Sequence, residues 1–259
     1  MLSARSFLVR GLVAGLLAGI AAFVVAYLVG EPSVNAAIAL EGTGHAATEP
    51  GHHASGQALP GEPVVPRSLQ STAGLLTGTV VAGVTLGGLV GVLSALALGR
   101  FGALGVRATT LAVTAAGFLV VIAVPTLGYP PNPPAVGNPG TIGLRTTLYF
   151  LLVAISVLAA VAAVLAGRAL APRLGGWYAT LAAGAGYVAV TLTALALLPS
   201  FSEVPPGYPA TVLYEFRRAS FLTQLTLWTV LGVVLADLAQ RLTAPVRVPR
   251  RQPRSGVLP

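Results

Sequence analysis

Long apolar segments alternate along the chain with short segments that contain glycine, proline and arginine. A helix needs about 20 apolar residues to cross the hydrocarbon core of a bilayer. Six segments meet this requirement, at residues 11–29, 74–98, 108–127, 146–166, 177–198 and 220–238. Backbone groups in lipid must be satisfied within the structure, and runs this long and uniform are not typical of barrel strands. The pattern therefore predicts an all-α polytopic membrane protein, a bundle of six transmembrane helices.

The composition agrees with a lipid environment. Of 259 residues, 55% are hydrophobic and only 8% are charged, and the mean hydropathy is +0.83. A soluble domain of this size carries about 25% charged residues. The lipid bilayer is therefore the first predicted partner of this chain.

The arginines predict the orientation of the bundle. The sequence has no lysine, and its arginines fall between the apolar segments. One side receives Arg5, Arg10, Arg100, Arg107, Arg168, Arg173, Arg241, Arg247, Arg250, Arg251 and Arg254, and the other receives Arg67, Arg145, Arg217 and Arg218. The positive-inside rule then places both termini in the cytoplasm, an N-in/C-in topology. The arginines form no continuous basic face, so the net charge of +8 does not indicate a nucleic-acid partner.

The first apolar segment permits two interpretations. It follows Arg5 and Arg10 and precedes small residues, as in a signal peptide, and its cleavage would leave five spans. However, it is longer than a usual signal core, and Gly11, Gly15 and Gly19 are spaced as in a helix-packing face, which favours retention. The second segment has similar glycine spacing, which predicts packing within the bundle or, alternatively, contact between copies.

Residues 1–242 are predicted to form the transmembrane domain and residues 243–259 a disordered basic cytoplasmic tail. An extracytoplasmic loop, residues 30–70, is expected to be largely disordered because it is rich in glycine, proline and other small residues. This loop contains all three histidines of the chain, together with several glutamates. Imidazole and carboxylate suit borderline divalent cations, so the loop is either a capture site or a solvated linker. The candidate metal ligands are His45, His52, His53, Glu31 and Glu41.

Three further polar residues are candidates for a translocation path. Asn132 lies between prolines in a stiff predicted outer loop, and Glu203 lies in another outer loop. Gln224 is an amide inside an apolar span, where it must find a partner across helices or line a path. Asp237 is expected to pair with Arg241 at the inner end of the last span.

Several functions are excluded or disfavoured. The chain has no cysteine, so it offers no thiolate metal ligand and no disulfide. It also has no phosphate-binding glycine-lysine motif, no zinc-protease motif and no paired acids inside the spans. The sequence therefore predicts that this protein is not an enzyme and binds no permanent cofactor.

Three segments together resemble the CbtA family, proposed bacterial cobalt transporter subunits associated with cobalamin biosynthesis. They are residues 30–41, the proline-rich residues 129–150, and residues 203–217. The resemblance implies Co²⁺ import across the bacterial inner (cytoplasmic) membrane, with a small histidine-bearing membrane subunit, CbtB, as partner. Members of this family are usually described with five spans, and the resemblance implies no transport site at residue level.

The hypothesis from the sequence is therefore a permease for a divalent cation, with cobalt as the cargo. One alternative is an accessory or scaffold subunit that does not itself transport. Another is a permease for nickel or an organic solute, because nothing in the sequence separates Co²⁺ from Ni²⁺. The direction of transport, its energy coupling and the oligomeric state are open at this stage.

Overall fold

The computed structural model describes residues 3–46, 65–100, 104–134 and 136–242, and these residues form helices and short connections. The helices are α1 (Ala4–Val25), α2 (Glu31–Ala46), α3 (Arg67–Leu69), α4 (Leu75–Ala97), α5 (Val106–Phe118), α6 (Val124–Gly128), α7 (Ile142–Leu197) and α8 (Ala210–Gln240). Three π-helical turns, Ala26–Gly30, Gln70–Gly74 and Leu119–Ala123, join neighbouring helices end to end. The all-helical prediction is confirmed for the described residues.

Among the described residues, five helical segments are long and apolar enough to cross a membrane. The segments are Ala4–Glu41, Arg67–Ala97, Val106–Gly128, Pro139–Leu197 and Ala210–Gln240. Each contains at least one of the six segments predicted from the sequence. The fourth contains two of them, residues 146–166 and 177–198, in 59 residues.

This fourth segment is a helical hairpin. Gly175 has φ 76° and ψ 158°, which breaks the helix inside α7. The hydroxyls of Ser156 and Tyr187 are hydrogen-bonded at 2.9 Å although 31 residues separate them. In one straight helix those residues would be about 46 Å apart. The two limbs of α7 therefore lie antiparallel, and Leu152 of the first limb and Leu195 of the second meet at Gly128.

The first helical segment is longer than predicted. Residues 31–46 form α2, although the sequence analysis assigned them to a largely disordered loop. Residues 47–64 of that loop lie outside the described residues. Pro32 does not end the helix, because the π turn Ala26–Gly30 ends two residues before it. The turn is closed by the Glu31 N–H, which donates to Ala26 O, five residues back. Burial of Ser33 and Ala37 gives α2 a packed face, so the expectation of disorder is wrong there.

Glycines of α1 and α4 bring these two helices into backbone contact. A Cβ added to Gly15 would lie 2.1 Å from Gly83 O, and one added to Gly11 would lie 2.1 Å from Gly87 O. Real Cβ atoms do not approach so closely, so only glycine permits this packing. The predicted glycine faces therefore pack within the bundle.

The centre of the bundle is a compact apolar cluster from α1, α4 and α8. Small residues of α1 and large residues of α8 interlock there, and Phe118 packs on the ring of Trp228. The buried members are Ala14, Ala18, Ala22, Val90, Leu227, Trp228, Leu231 and Leu235.

Polar contacts gather at the two ends of the bundle. At the end of the bundle where α1 begins, Asp237 pairs with Arg107 at 2.8 Å and with Arg241 at 2.7 Å. The predicted Asp237–Arg241 pair is therefore confirmed, and Arg107 of α5 is a second partner. Arg10 donates from Nε to Leu238 O at 3.0 Å. The opposite end, called the proline-loop end here, carries residues 129–134, 136–141 and 198–209 and holds the candidate site.

Candidate functional site

Two adjoining cavities lie at the proline-loop end. The larger, called the proline-loop cavity, has a volume of about 1300 Å³ and is lined by the two proline-rich connections together with Glu41, Arg145 and Arg217. The smaller, called the Gln224 cavity, has a volume of about 530 Å³ and lies between α8 and the helices around it. Tyr129 and Tyr149 line both cavities, so these two side chains form the boundary where the cavities adjoin.

Glu203 fastens the two proline-rich connections to each other. Its Oε2 accepts from the Asn138 N–H at 2.8 Å and pairs with Arg145 Nη1 at 2.9 Å. Its Oε1 accepts from the Thr141 hydroxyl at 2.5 Å. These donors, Thr141 first, then Asn138 and the Arg145 charge, hold the pKa of the Glu203 carboxyl below its ordinary value. The carboxylate is therefore kept ionised but is largely occupied by protein groups.

Gly137 makes room for the Arg145 side chain beside this carboxylate. Its φ is 135°, and an added Cβ would lie 2.8 Å from Arg145 Nη2. Arg145 and Glu203 are both mostly covered, with 21% and 14% of their side chains exposed. Arg145 and Glu203 therefore neutralise each other away from most of the solvent.

Asn132 is held by an arginine from α8. Arg217 donates from Nη2 to Asn132 Oδ1 at 2.9 Å and from Nε to Pro131 O at 3.3 Å. The amide oxygen of Asn132 and the backbone carbonyl of Pro131 therefore already accept hydrogen bonds from the Arg217 guanidinium. Arg218, the next residue along α8, lies over the ring of Tyr214.

The Gln224 cavity is mainly apolar, but it contains one unsatisfied polar atom and one carboxylate. The amide oxygen of Gln224 is buried and accepts no hydrogen bond from any described residue. A buried acceptor without a donor costs roughly 1–3 kcal/mol, so its retention calls for a reason. The partner predicted across helices is not found among the described residues.

Glu31 lies on the wall of this same cavity and pairs with Arg67, which also donates to Asn35 Oδ1 at 3.3 Å. The pair ties the start of α2 to the start of α3. Only 13% of the Glu31 side chain is exposed, and Arg67 balances the negative charge of its carboxylate.

Two of the three π turns line the Gln224 cavity, and the second ends directly before a lining residue. Ala26 and Gly30 belong to the first, Ile122 belongs to the third, and Leu75 directly follows the second. π turns widen a helix locally and occur often at functional sites. Two prolines follow π turns at the same spacing. Pro32 comes two residues after the first π turn, and Pro125 comes two residues after the third. The cavity thus lies where two helices are locally widened.

The structure brings together five of the eight residues predicted as metal or path residues. Glu41, Asn132 and Glu203 line the proline-loop cavity, and Glu31 and Gln224 line the Gln224 cavity. The side chains of His45, His52 and His53 lie outside the described residues. Within the described part of the chain, no three histidine, aspartate or glutamate side chains are grouped so as to hold a metal ion.

Sequence reasoning missed the aromatic residues that join the cavities. Tyr129 donates from its hydroxyl to Pro199 O at 2.8 Å and packs near Phe201, while Tyr149 packs edge-on against Phe150. A tyrosine within or beside an apolar segment has no sequence periodicity or spacing that would identify it as part of a cavity wall. The role of Arg217 was also missed, because its partners are 85 and 86 residues away in sequence.

On the side of Gln224 that faces away from the proline-loop end, the bundle is closed. Trp228, Leu231 and Leu235 follow along α8, and each has at most 4% of its surface exposed. The two cavities therefore open one end of the bundle and stop at its apolar cluster.

Comparison with known proteins gives one match. A sequence model of a family described as "Probable cobalt transporter subunit (CbtA)" matches residues 4–240. This range includes both cavities and every described helix. No curated protein and no solved structure matches the chain.

Proposed function

The chain belongs to the CbtA family of probable cobalt transporter subunits, and from this premise we propose that it imports a divalent metal cation, Co²⁺, across the bacterial inner membrane for cobalamin biosynthesis. One observation supports this most. Five of the eight residues selected from the sequence alone as metal or path residues line two adjoining cavities at one end of the bundle. A cation entering from that end would meet carboxylate, amide and hydroxyl oxygens in succession.

For import, the proline-loop end must face outwards. The positive-inside rule favours this arrangement, because Arg5, Arg10, Arg100 and Arg107 belong to the opposite end. Both limbs of the α7 hairpin are long enough to cross, so we propose six crossings with both termini inside. The membrane potential would then drive entry, at about 2.3 kcal/mol per charge per 100 mV.

We further propose that His45, His52 and His53 capture the cation at low concentration before it enters the proline-loop cavity. Neutral imidazole binds Co²⁺, Ni²⁺ and Zn²⁺, so capture should weaken as pH falls through about 6.5. A small histidine-bearing membrane subunit of the CbtB type is the proposed partner, consistent with the description of the family as a transporter subunit.

Cobalt uptake in cells with the gene deleted and then restored tests the proposal. Restoration should recover uptake at limiting external Co²⁺. Changing all three histidines to alanine should raise the Co²⁺ concentration for half-maximal uptake and leave the maximal rate nearly unchanged. Equal uptake in deleted and restored cells would contradict transport, and equal uptake by the triple variant at limiting Co²⁺ would contradict capture alone.

A second candidate function is an accessory subunit that presents the cation to a separate permease. It is favoured by the closed apolar cluster below Gln224, where Leu231 and Leu235 are fully buried. Purified protein in liposomes separates the two functions. A permease should admit Co²⁺ under an inside-negative potential without another subunit, whereas an accessory subunit should bind Co²⁺ but admit none.

A further inference from the structure

We propose that the two adjoining cavities together bind one phospholipid molecule, with its phosphate at Arg217 in the proline-loop cavity and an acyl chain in the Gln224 cavity. Arg217 and Gln224 line the two cavities from the same helix, α8. The lipid is a ligand additional to the proposed cargo, and the Gln224 cavity can admit a cation only after the lipid has left. The depth of Arg217, the walls of the two cavities and the charge of Arg217 support the proposal.

Arg217 lies at the depth where lipid headgroups begin. It precedes Asp237 by 20 residues within α8, which corresponds to about 30 Å along the helix. The hydrocarbon core of a bilayer has the same thickness, about 30 Å. Since Asp237 pairs with Arg107 and Arg241 at the other end of the bundle, α8 has a charged group at each boundary of the hydrocarbon. Gln224 follows Arg217 by two helical turns, about 10 Å, so the cavity beside it lies within the apolar layer.

The Gln224 cavity has a wall suited to an acyl chain. The carboxylate on this wall, Glu31, is neutralised by Arg67, and the Thr223 hydroxyl donates to Ala219 O at 2.9 Å. Sites for apolar ligands are clefts of about 300–1000 Å³ with apolar and aromatic walls, and this cavity has a volume of about 530 Å³. Its large apolar and aromatic lining residues include Val34, Leu75, Ile122, Phe216 and Phe221.

The boundary between the cavities suits the junction of a lipid headgroup with its chains. Tyr129 and Tyr149 form this boundary. Tyrosine has an apolar ring and a polar hydroxyl, and it is enriched at the level where headgroups meet hydrocarbon. Neither cavity is enclosed. One amphipathic molecule can therefore lie with its polar part in the proline-loop cavity and a chain in the Gln224 cavity.

Arg217 has only uncharged partners among the described residues. Its Nε and Nη2 donate to Pro131 O and Asn132 Oδ1, and its Nη1 donates to no described residue, which leaves that group for a ligand. Guanidinium groups form strong charge-assisted hydrogen bonds with phosphate oxygens. The other charged side chains on the wall are Glu41, Arg145 and Glu203. Together with Arg217 they carry no net charge, so a zwitterionic headgroup fits this wall better than an anionic one.

Quenching of Trp228 by a brominated phospholipid tests the site. The chain has two tryptophans, and a Trp177→Phe variant of the full-length protein leaves Trp228, one helical turn from Gln224, as the single reporter. Phosphatidylethanolamine with brominated chains, added to this purified variant in detergent, should quench Trp228 saturably. Unbrominated phosphatidylethanolamine should reverse the quenching. Inorganic phosphate should not reverse it, because phosphate has no chain.

Ser220→Phe in this background tests the placement of the chain. Ser220 lines the Gln224 cavity between Arg217 and Gln224, so an added ring would occupy the space of the chain. Thr229→Phe is the matched control, because Thr229 is on the same helix but is exposed and outside the cavity lining. The first variant should lose saturable quenching, and the second should be quenched as the parent is. If Ser220→Phe unfolds at a lower temperature than the parent, Val34→Phe fills the same cavity from α2 and should have the same effect.

Arg217→Gln tests the phosphate contact. It should weaken phosphatidylethanolamine binding by about tenfold, the loss expected for one charge-assisted hydrogen bond. Arg218→Gln, at an exposed neighbour that lines neither cavity, should bind as the parent does. Diacylglycerol has the chains without the phosphate. It should compete about tenfold less well than phosphatidylethanolamine for the parent, and equally well for Arg217→Gln.

Each opposite result contradicts a stated part of the proposal. Saturable quenching that persists in both Ser220→Phe and Val34→Phe would overturn the placement of the chain. Equal binding by Arg217→Gln and Arg218→Gln, or displacement of the lipid by inorganic phosphate alone, would overturn the binding of phosphate and chain as one molecule. Absence of saturable quenching in protein with unchanged thermal unfolding would remove the lipid site altogether. None of these results alters the cobalt-uptake experiment, which measures Co²⁺ and not lipid.

Discussion

At the scale of single residues, Glu203 shows how far a side chain's partners can lie from it in the sequence. Its position in an outer loop predicted a path residue, but three donors occupy its carboxylate: Thr141, Asn138 and Arg145. The sequence shows only that this residue is a glutamate in a predicted outer loop. Two of its partners are 65 and 62 residues away, and no local pattern predicts such contacts. Its clearest physical effect is to join the two proline-rich connections.

Replacing Glu203 with glutamine should lower thermal stability in a pH-dependent manner. The pKa of Glu203 in the folded protein is below the ordinary value of 4.5, so the carboxylate stabilises the fold above that pH. This contribution should be lost as pH falls through the lowered pKa. Thermal unfolding of parent and variant in detergent should therefore differ near neutral pH and converge in acid.

Glu215→Gln serves as the control, because Glu215 is exposed and is in none of the ion pairs of the described residues. Its unfolding temperature should follow that of the parent at every pH. A constant difference between parent and Glu203→Gln across the acid range would contradict the assignment.

At the scale of elements, hydropathy predicts where helices cross but not where they continue. Residues 31–46 contain proline, glycine and glutamate, so their composition indicated a loop. The helix persists because a π turn accommodates Pro32 and because Ser33 and Ala37 are buried. Both causes depend on the neighbouring helices. The glycine spacing of α1 and α4, by contrast, predicted their packing correctly, since each face is periodic in sequence.

Gly15→Ala should destabilise the bundle by about 1–3 kcal/mol, the usual cost of overpacking. The added methyl group would lie 2.1 Å from Gly83 O, which is backbone and cannot move aside cheaply. Gly78→Ala is the matched control, because no atom lies within 4 Å of its added Cβ. Thermal or denaturant unfolding should show a loss for the first variant and little or no loss for the second.

Gly175→Ala should also destabilise the protein, by about 1–3 kcal/mol, because φ 76° with ψ 158° is accessible essentially only to glycine. Gly176→Ala introduces the same methyl group at the next residue, where φ is not positive and no atom lies within 4 Å. Equal unfolding free energies for the two variants would show that the turn conformation carries no strain.

At the scale of the whole molecule, the number of crossings depends on how α7 is divided. The sequence placed two spans there, separated by Arg168 and Arg173, and the structure has a single helical segment that turns back at Gly175. The cavities could not be predicted, because their walls come from α2, α6, α7 and α8 together. Apolar pattern and arginine position contain no information on which spans are neighbours.

Reporter fusions at three positions test the proposed topology. Fusions between Arg100 and Arg107 and next to Gly175 should report the cytoplasm, and a fusion within residues 136–140 should report the exterior. An exterior signal next to Gly175, with the other two unchanged, would contradict six crossings. Reversal of all three signals would contradict the orientation inferred from the arginines.

The glycine contact between α1 and α4 also bears on the order of assembly. Both helices precede α5, α7 and α8 in the chain, and their interface requires none of these later helices. Chains fold from the N-terminus during synthesis, so this pair can associate while α8 is still unmade. The later helices would then assemble on a preformed two-helix unit, and the cavities would arise only when α8 inserts, because its residues line both of them.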